Sequence, residues 1–73
     1  GEQELEFILK QTLSAIDVGV INWSKVIKQM SGLSAAQAVR VAQDAAKRSI
    51  LEREGLVIQE HLEEAIVAID NPS

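Results

Sequence analysis

The feature that most constrains this chain is a run from Ser34 to about Arg53 that contains neither glycine nor proline and opens on a helix-start signal. Ser34-Ala35-Ala36-Gln37 has the spacing of a capping box. In that motif a serine side chain accepts the backbone N–H three residues on, and the side chain at that position reaches back to the serine amide. Along the run, Ala35, Ala38, Val39, Ala42, Ala45, Ala46, Ser49 and Ile50 recur at helical spacing and predict the buried side of a long helix. Gln37, Arg40, Asp44, Lys47 and Arg48 predict its wet side. Arg40, Asp44 and Arg48 stand one turn apart and are expected to pair, each pair contributing about 0.3 kcal/mol. The buried stripe is mostly alanine, so neighbouring helices can approach closely.

Shorter helices are expected on both sides. Leu5, Ile8, Leu9, Thr12, Leu13 and Ile16 share one face of a first helix, and Glu2, Glu4 and Glu6 crowd its first turn, where negative charge suits the helix dipole. Asp17-Val18-Gly19 breaks that pattern. Asn22 is a good N-cap for a short second helix carrying Trp23, Val26, Ile27 and Met30 inward, and Ser31-Gly32 closes it. Glu54-Gly55 ends the long helix, and Leu56-Val57-Ile58 reads as a short extended connection. A last helix is expected from about Glu60 to Ile69, with Leu62, Ala65, Ile66 and Ile69 inward and Glu60, Glu63 and Glu64 outward. Residues 70–73, ending in Asn71-Pro72-Ser73, read as a stop and a loose tail. The fold class is all-α: a small four-helix bundle in the order helix, short helix, long central helix, helix.

Seventy-three residues make a single domain spanning 1–73, and 47% hydrophobic content favours a folded one. Phe7 and Trp23 are the aromatic residues, so packing relies on Leu, Ile, Val and Ala. The absence of cysteine excludes disulfides, thiolate metal sites and a cysteine nucleophile, and fits a reducing, cytoplasmic setting. With a net charge of −4 and basic residues dispersed among acidic ones, nucleic acid is not an expected partner. No run is apolar enough to suggest a membrane span, and no signal peptide opens the chain. A start at Gly1 rather than Met suggests a piece of something longer.

No residue pattern carries chemistry of its own. His61, the single histidine, has neither the neighbours of a zinc site nor those of a triad, and is expected at a partly exposed position on the last helix. No phosphate-binding glycine loop occurs. Ser34 has a capping role in its local context. A serine opening a helix in a small acidic four-helix domain also suits an acyl carrier protein, but carriers flank that serine with Asp and Leu where this chain has Leu33 and Ala35.

Ile21-Asn22-Trp23, Gly32-Leu33-Ser34-Ala35-Ala36, Gln43-Asp44-Ala45-Ala46 and Ile58-Gln59-Glu60-His61-Leu62-Glu63-Glu64-Ala65, in that order, resemble the C-terminal lid subdomain of AAA-type ATPases. The resemblance covers essentially the whole chain. It implies a lid that packs over the adenine and ribose of ATP while a large domain holds the phosphates and Mg. The matching nucleotide-proximal positions are Gly32, Ser34, Ala35 and Ala36, with Thr12 where many relatives carry a histidine near the base. Ala35 stands where the family has a second glycine, and Gln37 where it has Asp. Ala36 occupies the region where other branches carry a sensing arginine, and Arg40 lies a full turn later.

The partners implied are the large ATPase domain of the same chain and neighbouring subunits of a homo-oligomeric ring. Phe7 and Val41, apolar residues on otherwise wet faces, are the candidates for contact with that large domain. The fragment itself is not expected to catalyse a reaction; the parent would be the ATPase. The competing readings are a histone-like or other helical interaction module and, more remotely, an acyl carrier.

Overall fold

Helix α3, Ala35–Arg53, forms where the capping box places its start. In this computed structural model, which describes residues 1–70 apart from the side chains of Arg53 and Asp70, both reciprocal bonds are made. Ser34 Oγ accepts the Gln37 N–H at 3.2 Å, and Gln37 Oε1 accepts the Ser34 N–H at 2.8 Å. The other end stops on backbone geometry. Glu54 takes the left-handed conformation at φ 53° and Gly55 follows at φ 95°, so that the Gly55 N–H reaches back to the Ser49 carbonyl at 3.0 Å.

The remaining elements surround α3. Helix α1 (Glu2–Thr12) and α4 (Gln59–Asp70) pack on it directly, and α2 (Trp23–Gln29) bridges α1 and α4. Asn22 caps α2 by accepting the Lys25 N–H at 3.2 Å, as its sequence position predicts. The cap is also tied to α4, since the Asn22 N–H donates to Gln59 Oε1 at 2.9 Å. Leu5, Leu9, Leu13, Val26, Ile27, Met30, Leu62 and Ile66 fill the core around Ala38, Val41, Ala42 and Ala45. The four-helix, all-α class is therefore observed. Helix α4 starts one residue earlier than expected and takes up Asp70; the rest of the expected tail, Asn71–Ser73, lies outside the described residues.

Two short strands depart from the pattern read in the sequence. Asp17–Val18 forms β1 and Leu56–Val57 forms β2, paired in parallel with Asp17 opposite Leu56 and Val18 opposite Val57. The pairing continues as Gly19 N–H donates to the Val57 carbonyl at 2.8 Å. Two-residue strands are too short for an alternating pattern to register, so Asp17-Val18-Gly19 looks like a mere break. Helix α1 ends at Thr12 rather than near Ile16, because a turn through Leu13 and Ile16 aims the chain into β1.

The buried face of α3 is also rotated from the expected one. Ala38, Ala42, Ala45 and Ser49 are buried, but Ala35 and Ile50 are exposed while Val41 is fully covered. Val41 shares a helical row with Arg48, two turns on, and Arg48 reaches Glu64 of α4 at 3.6 Å. Packing of α4 along that flank turns a residue expected on the wet side into core.

Replacing Ser34 with Ala removes the acceptor for Gln37 N–H and is expected to lower unfolding free energy by about 1 kcal/mol. Chemical denaturation followed by circular dichroism measures it, with a midpoint equal to the wild type counting against the cap.

Candidate functional site

Of the expected nucleotide-proximal residues, Gly32 and Ala35 line one hollow and Thr12 another, and Ser34 and Ala36 line neither. Gly32, at φ 92°, and Ala35 line a hollow of about 210 Å³ against Glu2, Glu4 and Leu5 at the start of α1. Thr12, half-buried at the other end of α1, lines a groove of about 460 Å³ with Ile16, Ala42, Ala46, Ile50 and Leu51. Helices α1 and α3 thus run side by side in the same sense. Thr12 consequently lies two turns, or about 10 Å, farther along α3 than Ala35. Ser34, Ala35 and Ala36 are exposed, and the Ser34 hydroxyl is engaged in the cap.

The groove between α1 and α3 is mainly apolar, and its rim leaves Ile50 64% and Leu51 76% exposed. Singly exposed apolar residues are ordinary on proteins, but two consecutive ones beside an apolar groove form a continuous sticky surface. Helical spacing places Ile50 with the core and does not distinguish Leu51, so the exposure of Ile50 is a departure from the expected face. The visible signal was the Ile50-Leu51 pair at a point where the helix outruns its neighbours. Phe7 is 65% exposed, as its place off the apolar stripe predicts. Val41, the other expected contact residue, is corrected: it is fully buried and has no surface to offer a partner domain.

His61 is also corrected. It is fully buried rather than partly exposed. Its Nδ1 accepts the backbone N–H of Ile58, the residue before α4, at 3.1 Å. That is the backward half of a capping box, performed on α4 by an imidazole as Gln37 performs it on α3. A backbone N–H only donates, so the ring proton sits on Nε2, which donates to Glu52 Oε2 at 3.1 Å. One ring therefore joins the end of α3 to the start of α4. The Ile58-x-x-His61 spacing carried this signal in the sequence.

Ion pairs tie the outer faces together. Arg48 Nε donates to Asp44 Oδ2 at 2.8 Å, a bond that holds the guanidinium still more firmly protonated, and its Nη1 reaches Glu64. On α4, the Gln59 amide donates to Glu63 at 3.1 Å and the Lys25 ammonium stands at 3.3 Å; together they hold the Glu63 carboxyl below its ordinary range. Among the described residues no three His, Asp or Glu side chains gather as a metal site, and no helix is long and apolar enough to cross a membrane. Neither a protein-family model nor a curated protein sequence matches the chain.

Nitrogen-resolved NMR of His61 is expected to show the proton on Nε2; a proton on Nδ1 would refute the Ile58 contact. His61→Leu keeps apolar bulk but leaves the Ile58 N–H without its acceptor, and should cost about 1–2 kcal/mol in denaturation. A pH effect follows from Glu63. Because its folded pKa lies below the unfolded value, its contribution is present above the ordinary carboxylate range and lost as pH falls through the lowered value. Glu63→Gln should therefore be less stable than wild type at neutral pH, with the gap closing in acid thermal melts.

Proposed function

We propose that this chain is the C-terminal helical lid of an AAA-type ATPase, closing over the base and ribose of ATP and passing nucleotide-driven motion to neighbouring subunits of a cytoplasmic ring. The observation that supports this most is the unpartnered apolar groove between α1 and α3, with Thr12 inside it and Ile50 and Leu51 on its rim. A large domain of the same chain is the natural cover for such a surface. The small exposed residues Ala35 and Ala36 leave room for backbone to approach a flat ligand at the capped start of the same helix. The order of motifs supplies the family resemblance.

These residues suit the apolar side of ATP rather than its phosphates. Thr12 and the alanines of the groove offer shape and a hydroxyl, while Mg and the triphosphate would be held by the large domain. In this reading the lid contributes differential contact: it favours the closed arrangement when nucleotide is present and the open one after release. The separation of Thr12 from Ala35 means that the two contacts would fall on opposite sides of a bound nucleoside rather than on one subsite.

The exposed Ile50-Leu51 pair also favours a second reading, a helical module that pairs with a copy of itself. A melting temperature that rises with protein concentration would select it.

Introducing Ala36→Trp into the full-length ATPase should raise KM for ATP several-fold, because the indole fills the space a nucleoside would approach. The same change at this exposed position should leave the isolated chain's stability within about 0.5 kcal/mol of wild type. Unaltered ATP kinetics would sink the lid reading. The isolated chain is expected to bind ATP weakly or undetectably by calorimetry, since it offers no phosphate cradle.

A further inference from the structure

We infer that the groove on the opposite flank of α3, between α3 and α4, is a docking site for an acidic amphipathic helix of a partner protein. The groove encloses about 400 Å³, and its floor includes Ala65, Ala68 and Ile69 of α4. Arg40 and Lys47 stand on its α3 wall, both exposed, with Gln43 between them. Seven residues separate the two cations, which puts them two turns, about 10 Å, apart on one side of α3.

The carboxylate that lies between the two cations is already engaged. Asp44 also lines this groove, but it is held by Arg48 at 2.8 Å, so its charge is already answered. Glu64 is drawn to the same Arg48, Glu63 to Lys25, and Glu6 to Lys10. None of the described carboxylates comes within ion-pair distance of Arg40 or Lys47. A chain of net charge −4 thus presents a local cationic wall beside a floor of small side chains. The matching partner is a helix with carboxylates two turns apart and an apolar residue between them. Its carboxylates meet Arg40 and Lys47, its apolar residue sits over the half-buried Ala68 and Ile69, and Gln43 offers an amide to its polar edge. Small residues on the floor allow the close axial approach such packing needs.

Gln43 and Lys47 lie on the ridge between this groove and the α1–α3 groove and line both, whereas Arg40 and the α4 floor belong to this one alone; the test involves no nucleotide, so it can fail without the lid reading failing. The probe is a fluorescein-labelled helical peptide with Glu at positions i and i+7, Leu at i+3 and i+4, and Ala elsewhere; a control peptide replaces both Glu with Gln. Fluorescence anisotropy with the 73-residue chain should show the Glu peptide binding about fivefold or more tightly than the Gln peptide at low salt, with the preference shrinking as salt screens it. Arg40→Glu with Lys47→Glu should abolish the preference, and a peptide with Lys in place of both Glu should then bind the reversed groove. Both positions are exposed, so unchanged circular dichroism melts are expected to accompany these effects. Equal binding of Glu and Gln peptides, or binding that survives the double reversal, would overturn the inference. So would self-association of the chain that the double reversal removes while the Glu peptide fails to bind, which would assign the groove to a second copy.

Discussion

Everything in this structure leans on the alanine face of α3. Ala38, Ala42 and Ala45 are fully buried, and only side chains that small let α1, α4 and β2 all close on one helix within 73 residues. A short chain has little interior to share out, so its larger apolar residues must come from the flanking helices. Leu9 and Leu62 do so from within α1 and α4, and Leu13 and Met30 from the C-caps of α1 and α2, each essentially inaccessible to solvent. The reciprocal Ser34–Gln37 cap sets where this central helix begins, and the left-handed turn at Glu54 and Gly55 sets where it ends. Between those two points the helix has one face to core and two flanks that open into grooves.

The two grooves differ in chemistry because different helices flank them. On the α1 side, Ile16, Ile50 and Leu51 make a mainly apolar surface. On the α4 side, Arg40 and Lys47 stand beside small residues, and local carboxylates are drawn into pairs with other cations. Both grooves are built on α3, so a ligand in either one would bear on the same helix. The His61 ring, bonded to Glu52 and to Ile58, stiffens the corner where that helix hands over to α4. A rotation of α3 would therefore carry α4 with it.

Much of this was legible in the sequence because it depends on near neighbours. The capping boxes and glycine stops act over three or four residues, so Ser34, Asn22, Gly32 and Gly55 announced helix ends that the structure contains. The inward faces of α1, α2 and α4 followed from helical spacing. The nucleotide-proximal residues were named from resemblance, and the separation of Thr12 from Gly32 and Ala35 needed the relative direction of α1 and α3, which no local pattern encodes.

What the sequence determined by itself was the set of helices and the caps that open α2 and α3, since these depend on residue type and short-range geometry. Tertiary structure decided the rest. It covered Val41 by laying α4 along a flank that periodicity alone marks as wet, and it buried His61 by giving each ring nitrogen a partner from a different segment. It joined Asp17–Val18 to Leu56–Val57, a pairing between segments nearly forty residues apart whose two-residue strands are too short to show a period. For Val41 and the strand pair the reason is that burial and pairing act across space, between residues the chain keeps far apart until it has folded; for His61 the contact with Ile58 is local, and what the fold adds is the turn that brings the end of α3 and its Glu52 back against the ring.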